Sequence, residues 1–292
     1  MVKLKASVVI NTKDRFTRLH ITLKALEGQV GESVEVIVVF DGCVKETLEA
    51  FYNIKLAYPV KSIVLQDNQG RAIARNIGAK AALGEIIIFI DDDRVPGPDF
   101  IDKHIEAHRK NCIVLGNRKE ILISEAEIGK ISASNQTMKK FLENLESKAG
   151  RALDSHETIL RRALFFRHNP LLWLLFYTGN ISIVRDDLVT VGFFDENFKG
   201  WGYEDLEIGY RFHKRGIAFI KDNRIINYHL AHEIAINDMH REALRNLDYF
   251  SRKAKGDLPA IVVIGLIKLT MYVRLWRRYL IRAKTVGKTV KT

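Results

Sequence analysis

The chain has 292 residues, 47% of them hydrophobic, enough for one α/β domain with a sizeable core and an added segment. Its formal charge of +11 does not mark a nucleic-acid binder, because everything after Asp257 carries eight cations and no acid, leaving 38 basic against 35 acidic residues elsewhere. Two cysteines, Cys43 and Cys112, exclude a disulfide framework or thiolate metal site and fit a reducing compartment.

The opening MVKLKASVVINTK has too short an apolar run for a signal peptide or a membrane span, so cytoplasmic synthesis and retention are expected. Runs rich in Val and Ile at 6–10, 34–40, 60–65 and 85–90 are apolar on both faces and predict buried strands. Helical spacing over 15–27, 44–52 and 71–83 predicts a helix after each of the first three. That alternation implies a mostly parallel sheet covered on both sides, with its ligand site beyond the carboxyl ends of the strands, where Asn11, Asp14, Asp41 and Asp91 to Asp93 fall. Residues 124–168 are charged and helix-like, and are expected to be an insertion in a catalytic domain spanning 1–256. Strand signal returns in NISIVRD, followed by a helix beginning near Tyr203, a strand near 218–220 and another near 225–228. The basic tail, 257–292, is expected to form a C-terminal amphipathic helix.

Three motifs carry chemistry. Ile86 to Ile90 run straight into Asp91, Asp92 and Asp93, and adjacent carboxylates at a buried strand's exit repel one another unless a cation neutralises them. Hard oxygen ligands favour Mg2+ or Mn2+, completed by water and substrate phosphates, although a solvated acidic turn would read the same way. Farther on, GWGYEDLEIGYRFHKRG delivers Glu204 and Asp205 to the first turn of a helix, where capping alone would justify one acid. Trp201 between two glycines offers an aromatic face to a sugar, and Asp205 and Glu204 are the expected catalytic acids, with Asp205 the general base. Finally, Arg71 and Arg75 share one face of the helix after Gly70 and could reach a base or a diphosphate, or serve as surface cations.

SVVINTKDR, VIVVFDG, GRAIARNIGAKAALGEIIIFIDDD and GWGYED, in that order, resemble the family 2 glycosyltransferases with the GT-A fold. The last block also resembles the acceptor-side motif of galactosyltransferases and chondroitin-type polymerases. The resemblance implies that Asp41 accepts a hydrogen bond from the nucleotide base, uracil favoured, although a turn-forming Asp before Gly42 explains the residue as well. It implies Asp92 near the ribose with Asp91 beside it, and Asp93 as metal ligand. His229 matches an additional metal ligand, with His232 or a structural histidine as alternatives, and Gly179 and Asn180 match a position beside the donor sugar. Asn76 and Gly78 complete a pattern whose small residue lets the helix pack closely on the sheet.

The implied activity is metal-dependent, inverting transfer of a sugar from a nucleotide diphosphate to a hydroxyl of a saccharide or lipid-linked acceptor, for cell-surface glycan synthesis. A nucleotidyltransferase should carry a Gly-rich phosphate loop after its first strand, where this chain has NTKDR. A non-catalytic nucleotide-binding or membrane-surface protein would have no need of both DDD and ED. Leu269, Tyr272, Val273, Trp276, Tyr279, Leu280 and Ala283 share a helical stripe flanked by arginines, the profile of an in-plane binder of anionic membranes, and apolar 164–177 is a second such surface. Both would equally fit packing on the catalytic domain.

Overall fold

The computed structural model describes residues 3–108, 112–151, 171–231 and 236–272. The described chain forms two compact units, Met1–Asn197 with Glu204–Ile234, and Phe198–Tyr203 with Ala235–Thr292.

The first unit is built on a nine-stranded sheet in the order β3-β2-β1-β4-β8-β6-β9-β5, with β7 paired to β6. Its first half is parallel: β1 (Ala6–Thr12) lies between β2 (Val34–Asp41) and β4 (Ile86–Asp91), and β3 (Val60–Leu65) edges β2. The second half is mixed, with β8 (Ile181–Val184) antiparallel to both β4 and β6 (Cys112–Leu122). Strand β9 (Ala218–Ala231) runs parallel to β6 and antiparallel to β5 (Arg94–Pro96). The short β7 (Gly150–Arg151) runs antiparallel to β6.

The apolar strands follow from cover on both faces. Val8, Ile10, Val38 and Ile88 point to one side, where Leu19 and Leu23 of α1 (Phe16–Ala25) and Phe51 of α2 (Lys45–Asn53) pack. Val9, Ile37, Val39 and Phe89 point to the other, against Ala72, Ala74 and Ala79 of α3 (Arg71–Ala81). Helix α3 lies so close that a Cβ on Gly78 would meet Val9 Cγ1 at 2.4 Å, which is why that position has no side chain.

Residues 94–122, for which no elements were predicted, hold β5, α4 (Phe100–Ala107) and β6. The two strands expected near 218–220 and 225–228 are one, β9, whose pairing with β6 slips between Leu115 and Asn117 and so accommodates the polar interruption at Asp222 to Arg224. The expected helical segment contains α5 (Glu125–Ala133), α6 (Asn135–Glu143) and α7 (Leu145–Lys148). A reciprocal Ser124 and Glu127 capping box starts α5, and the Ser134 hydroxyl accepts the Thr137 amide to start α6. Residues 152–168 of that segment lie outside the described residues.

Beyond the short 3-10 turn Leu172–Leu175 come α8 (Arg185–Val191) and α9 (Glu204–Lys214), whose Leu188, Ile208 and Phe212 join the second core face. The second unit contains α10 (Ile236–Lys253) and α11 (258–272). Ala260, Ile264 and Met271 of α11 are buried, whereas Leu258, Val262, Leu266, Leu269 and Tyr272 on its other face are each more than half exposed. Among the described residues, no helix is long and apolar enough to cross a membrane.

Candidate active site

Parallel strands that end together put their next residues side by side. Register pairs Asn11 with Asp91, so the end of β1 meets the start of the acidic run. The three carboxylates then diverge. Asp91 is partly exposed and faces Arg75 Nη2 at 3.3 Å. Asp92 is buried and accepts the Thr12 hydroxyl at 2.7 Å, while its main-chain carbonyl accepts the Thr22 hydroxyl at 2.9 Å. Asp93, only 5% exposed, faces Arg15 Nη1 at 3.0 Å, His229 Nε2 at 3.6 Å and Arg94 Nε at 3.7 Å.

This divergence splits the pair's acidity. Burial and the neighbouring Asp93 charge push Asp92 above the usual carboxylate range. Burial also opposes ionisation of Asp93, but His229, Arg94 and Arg15 together hold it well below that range. The run is thus partly neutralised by arginines, which sequence reasoning had left to a metal alone. Arg15 lies inside a motif already singled out, whereas Arg94 carried no recognised signal.

His229 projects from β9 directly opposite Glu120 of β6, and its Nδ1 lies 2.6 Å from Glu120 Oε2. Burial lowers its pKa, yet the hydrogen bonds to Asp93 and Glu120 prevail and raise it. No group of three His, Cys, Asp or Glu side chains is assembled for a metal among the described residues. The facing Asp93 and His229 do supply one hard oxygen and one imidazole, a set that fits an ion whose remaining ligands are substrate phosphates. His232 lies outside the described residues.

The acids at the head of α9 have different surroundings. Glu204, 3% exposed, accepts Arg75 Nη1 at 2.8 Å. Arg75, equally buried, thereby bridges Glu204 and Asp91, so the arginine expected to reach a diphosphate is spent inside the protein, and Arg71 stays exposed. Glu204 is accordingly Arg75's counter-charge. Asp205 is half-buried and accepts the Leu206 amide at 2.8 Å. Burial, then the adjacent Glu204 charge, push its carboxyl up to about 7 despite Arg75.

Other expected site residues shape the backbone. Asp41 accepts the Gln69 amide at 2.6 Å and the Gly70 amide at 2.9 Å, clasping the end of β2 to the loop before α3. Asp14, at φ 52°, accepts the Val44 amide at 2.8 Å and the Thr47 hydroxyl at 3.3 Å. Gly179 is wedged where a Cβ would meet Asp91 Oδ2 at 2.8 Å and Arg94 Nε at 3.0 Å. Asn180 donates to the carbonyls of Asn117 at 2.9 Å and Ile225 at 3.3 Å and faces His104 Nε2 at 3.0 Å.

Trp201 belongs to the second unit. Its amide donates to Glu242 Oε2 at 2.8 Å, and Asn246 Nδ2 donates to the Gly202 carbonyl at 2.9 Å. Gly200 and Gly202 take positive φ values of 72° and 99°, and a Cβ on Gly200 would strike the Glu242 carboxylate. Neither Glu242 nor Asn246 was expected, since each acts more than 40 residues away in sequence.

Comparison with known proteins bears on this arrangement. Residues 7–167 match the family model Glycosyl transferase family 2, and residues 168–233 match the model N-terminal domain of galactosyltransferase. An uncharacterized glycosyltransferase of Bacillus subtilis, YfnE, is 29% identical over 256 residues, covering 78% of this chain and 65% of its own. The chondroitin synthase of Escherichia coli is 25% identical over 298 residues, covering 94% of this chain and 43% of its own. The chain therefore spans less than two thirds of either relative. Among solved structures, GalNAc-T7 with UDP, GalNAc and Mn2+ superposes with a TM-score of 0.57 at 18% identity, over 88% of this chain and 52% of that one. That likeness shows the GT-A fold.

Proposed function

The chain belongs to glycosyl transferase family 2, and from that premise we propose that it is an inverting enzyme that moves a sugar from a nucleotide diphosphate, uridine favoured, to a hydroxyl of a saccharide or lipid-linked acceptor in cell-surface glycan synthesis. The reading rests above all on Asp205, a half-buried carboxyl raised to about 7 and separated from the acidic strand end by a single Glu204–Arg75–Asp91 bridge. A general base works best with a pKa near the operating pH. The acceptor oxygen attacks the anomeric carbon, its proton passes to Asp205, and the bond to the departing diphosphate breaks on the opposite face.

We assign Asp93 and His229 to a divalent ion, Mn2+ or Mg2+, which when bound supplies charge neutralisation for the leaving diphosphate. Mn2+ accompanies UDP in the GalNAc-T7 structure, which supports this assignment. The nucleoside is assigned to the strand ends carrying Asn11, Asp14, Asp41 and Asp92, the phosphates to the side of Asp91 and exposed Arg71, and the donor sugar to the Gly179 loop. Trp201 supplies an aromatic face of the kind sugars stack on. The exposed apolar face of α11, followed in sequence by seven cations and no acid after Tyr272, supports work at an anionic cytoplasmic membrane face. The basic part of that tail, from Val273, lies outside the described residues, as does 164–170 of the other apolar segment.

The deciding experiment is a screen of nucleotide sugars with Mn2+ for release of nucleoside diphosphate. Release by the wild type and none by Asp205→Asn is expected. Equal turnover by the two proteins would remove Asp205 from the reaction.

A further inference from the structure

Glu120 has no part in the sequence motifs, yet its carboxylate lies 2.6 Å from His229 Nδ1. The two residues are paired in register across β6 and β9, and on the opposite side of β9 the partner of His229 is Arg94. Glu120 Oε2 lies 2.6 Å from His229 Nδ1, while Oε1 lies 2.7 Å from Arg118 Nε, so each carboxylate oxygen has its own anchor. An ionised carboxylate only accepts. Nδ1 must therefore carry hydrogen in this bond, and the remaining ring nitrogen, Nε2, is the one turned to Asp93 at 3.6 Å.

We propose that Glu120 is the positioning residue of the metal site: by accepting from Nδ1 it fixes the ring plane of His229 so that Nε2 is the nitrogen presented beside Asp93. The inference rests on the metal assignment made above for Asp93 and His229. Two rigid strands carry the pair, which suits a support that must not drift. Arg118 Nε adds a cation 2.7 Å from the other carboxylate oxygen.

Two measurements test it. Long-range 1H–15N correlation on histidine-labelled, metal-free protein, recorded at a pH where the ring is neutral, should find His229 with hydrogen on Nδ1 in the wild type and should find that preference lost in Glu120→Leu. Titration of Mn2+ in the presence of UDP, followed by electron paramagnetic resonance, should show affinity about 10- to 100-fold weaker in Glu120→Leu. Glu120→Gln, which retains an acceptor oxygen, should lose less, and it stands in for the leucine variant should that fail to fold. Unchanged tautomer and Mn2+ affinity in the variant that folds would overturn the role of Glu120. A wild type that binds no Mn2+ with UDP would instead overturn the metal assignment, while the tautomer measurement would still judge the positioning role.

Discussion

Arg75 Nη1 stands 2.8 Å from Glu204 Oε1, and this buried ion pair joins α3 to the first turn of α9 across 129 residues of sequence. Because Asp91 takes the other end of the guanidinium, one side chain couples the acidic strand end to the helix that bears Asp205. Burial works against the charge on Arg75, but Glu204, Asp91 and Asp205 more than restore it. Removing the cation leaves three acids facing one another in a site built to need it. Arg75→Met is expected to cost about 3–5 kcal/mol, the usual penalty for stranding a buried charge, read as a lower denaturation midpoint. A midpoint unchanged from wild type would mean the bridge is not holding the two helices.

The raised carboxyl of Asp205 makes a directional claim about pH. A base with a pKa of about 7 is mostly protonated and idle below it, so kcat/KM should climb as pH rises through about 7. The Glu204 charge is one cause of that elevation, and Glu204→Gln should displace the acid limb to lower pH. For stability the sign is opposite: a carboxyl whose folded pKa is raised favours the folded state most below its unfolded value near 3.8, and that contribution is lost as pH rises through about 7. An acid limb that does not move in Glu204→Gln would show that Asp205 is not the group seen in the rate profile.

What could be read from the sequence was mostly local. Val8 to Ile10, Val36 to Phe40 and Ile86 to Ile90 identify buried parallel strands because both faces are apolar, and Gly78 was legible as a packing glycine within its helix pattern. Strand β6 escaped because the polar run Asn117 to Glu120 interrupts its apolar residues. The partners of Arg75, His229 and Trp201 are all distant in sequence, so no periodicity or spacing pointed to Glu204, Glu120 or Glu242 as their anchors. Asp41 and Asp14 illustrate the reverse problem, since a short acid near a turn is spelled the same way whether it clasps backbone amides or awaits a ligand.

The close approach of α3 to the sheet gives a packing test. Gly78→Val would place its Cβ 2.4 Å from Val9 Cγ1, with Val39 Cγ2 at 3.1 Å behind it, so the helix must lift. Overpacking of this kind costs about 1–3 kcal/mol, and it should lower the midpoint in urea without changing the m-value. A variant as stable as the wild type would mean that α3 tolerates displacement and that the glycine is not required for packing.

A second pH dependence lies under the sheet. His104 and His108 bracket the Ser182 hydroxyl at 2.8 Å and 2.7 Å, and burial lowers them to about 3 and about 4. In the unfolded chain they take protons near 6.5, so stability is fully present above that pH and declines as pH falls toward the folded values. Each imidazole contributes a slope of up to about 1.4 kcal/mol per pH unit in that window. Urea denaturation at pH 7.5, 6.0 and 5.0 should show the decline, and His108→Gln should make it shallower. A profile as steep in His108→Gln as in the wild type would exclude His108 from it.

The membrane reading turns on one helix face. Val262, Leu266, Leu269 and Tyr272 recur every three or four residues on α11 and are all more than half exposed, while Ala260, Ile264 and Met271 are buried. Lone exposed leucines are ordinary, but a continuous stripe that runs in sequence into an acid-free, arginine-rich tail matches the amphipathic profile of a helix lying in an anionic interface. Leu266→Glu with Leu269→Glu places two like charges on that face without touching the buried one. Full-length protein should float with vesicles rich in phosphatidylglycerol, and the double variant should stay in the aqueous fraction while still binding UDP and Mn2+. Equal flotation of both proteins would show that this face does not meet lipid.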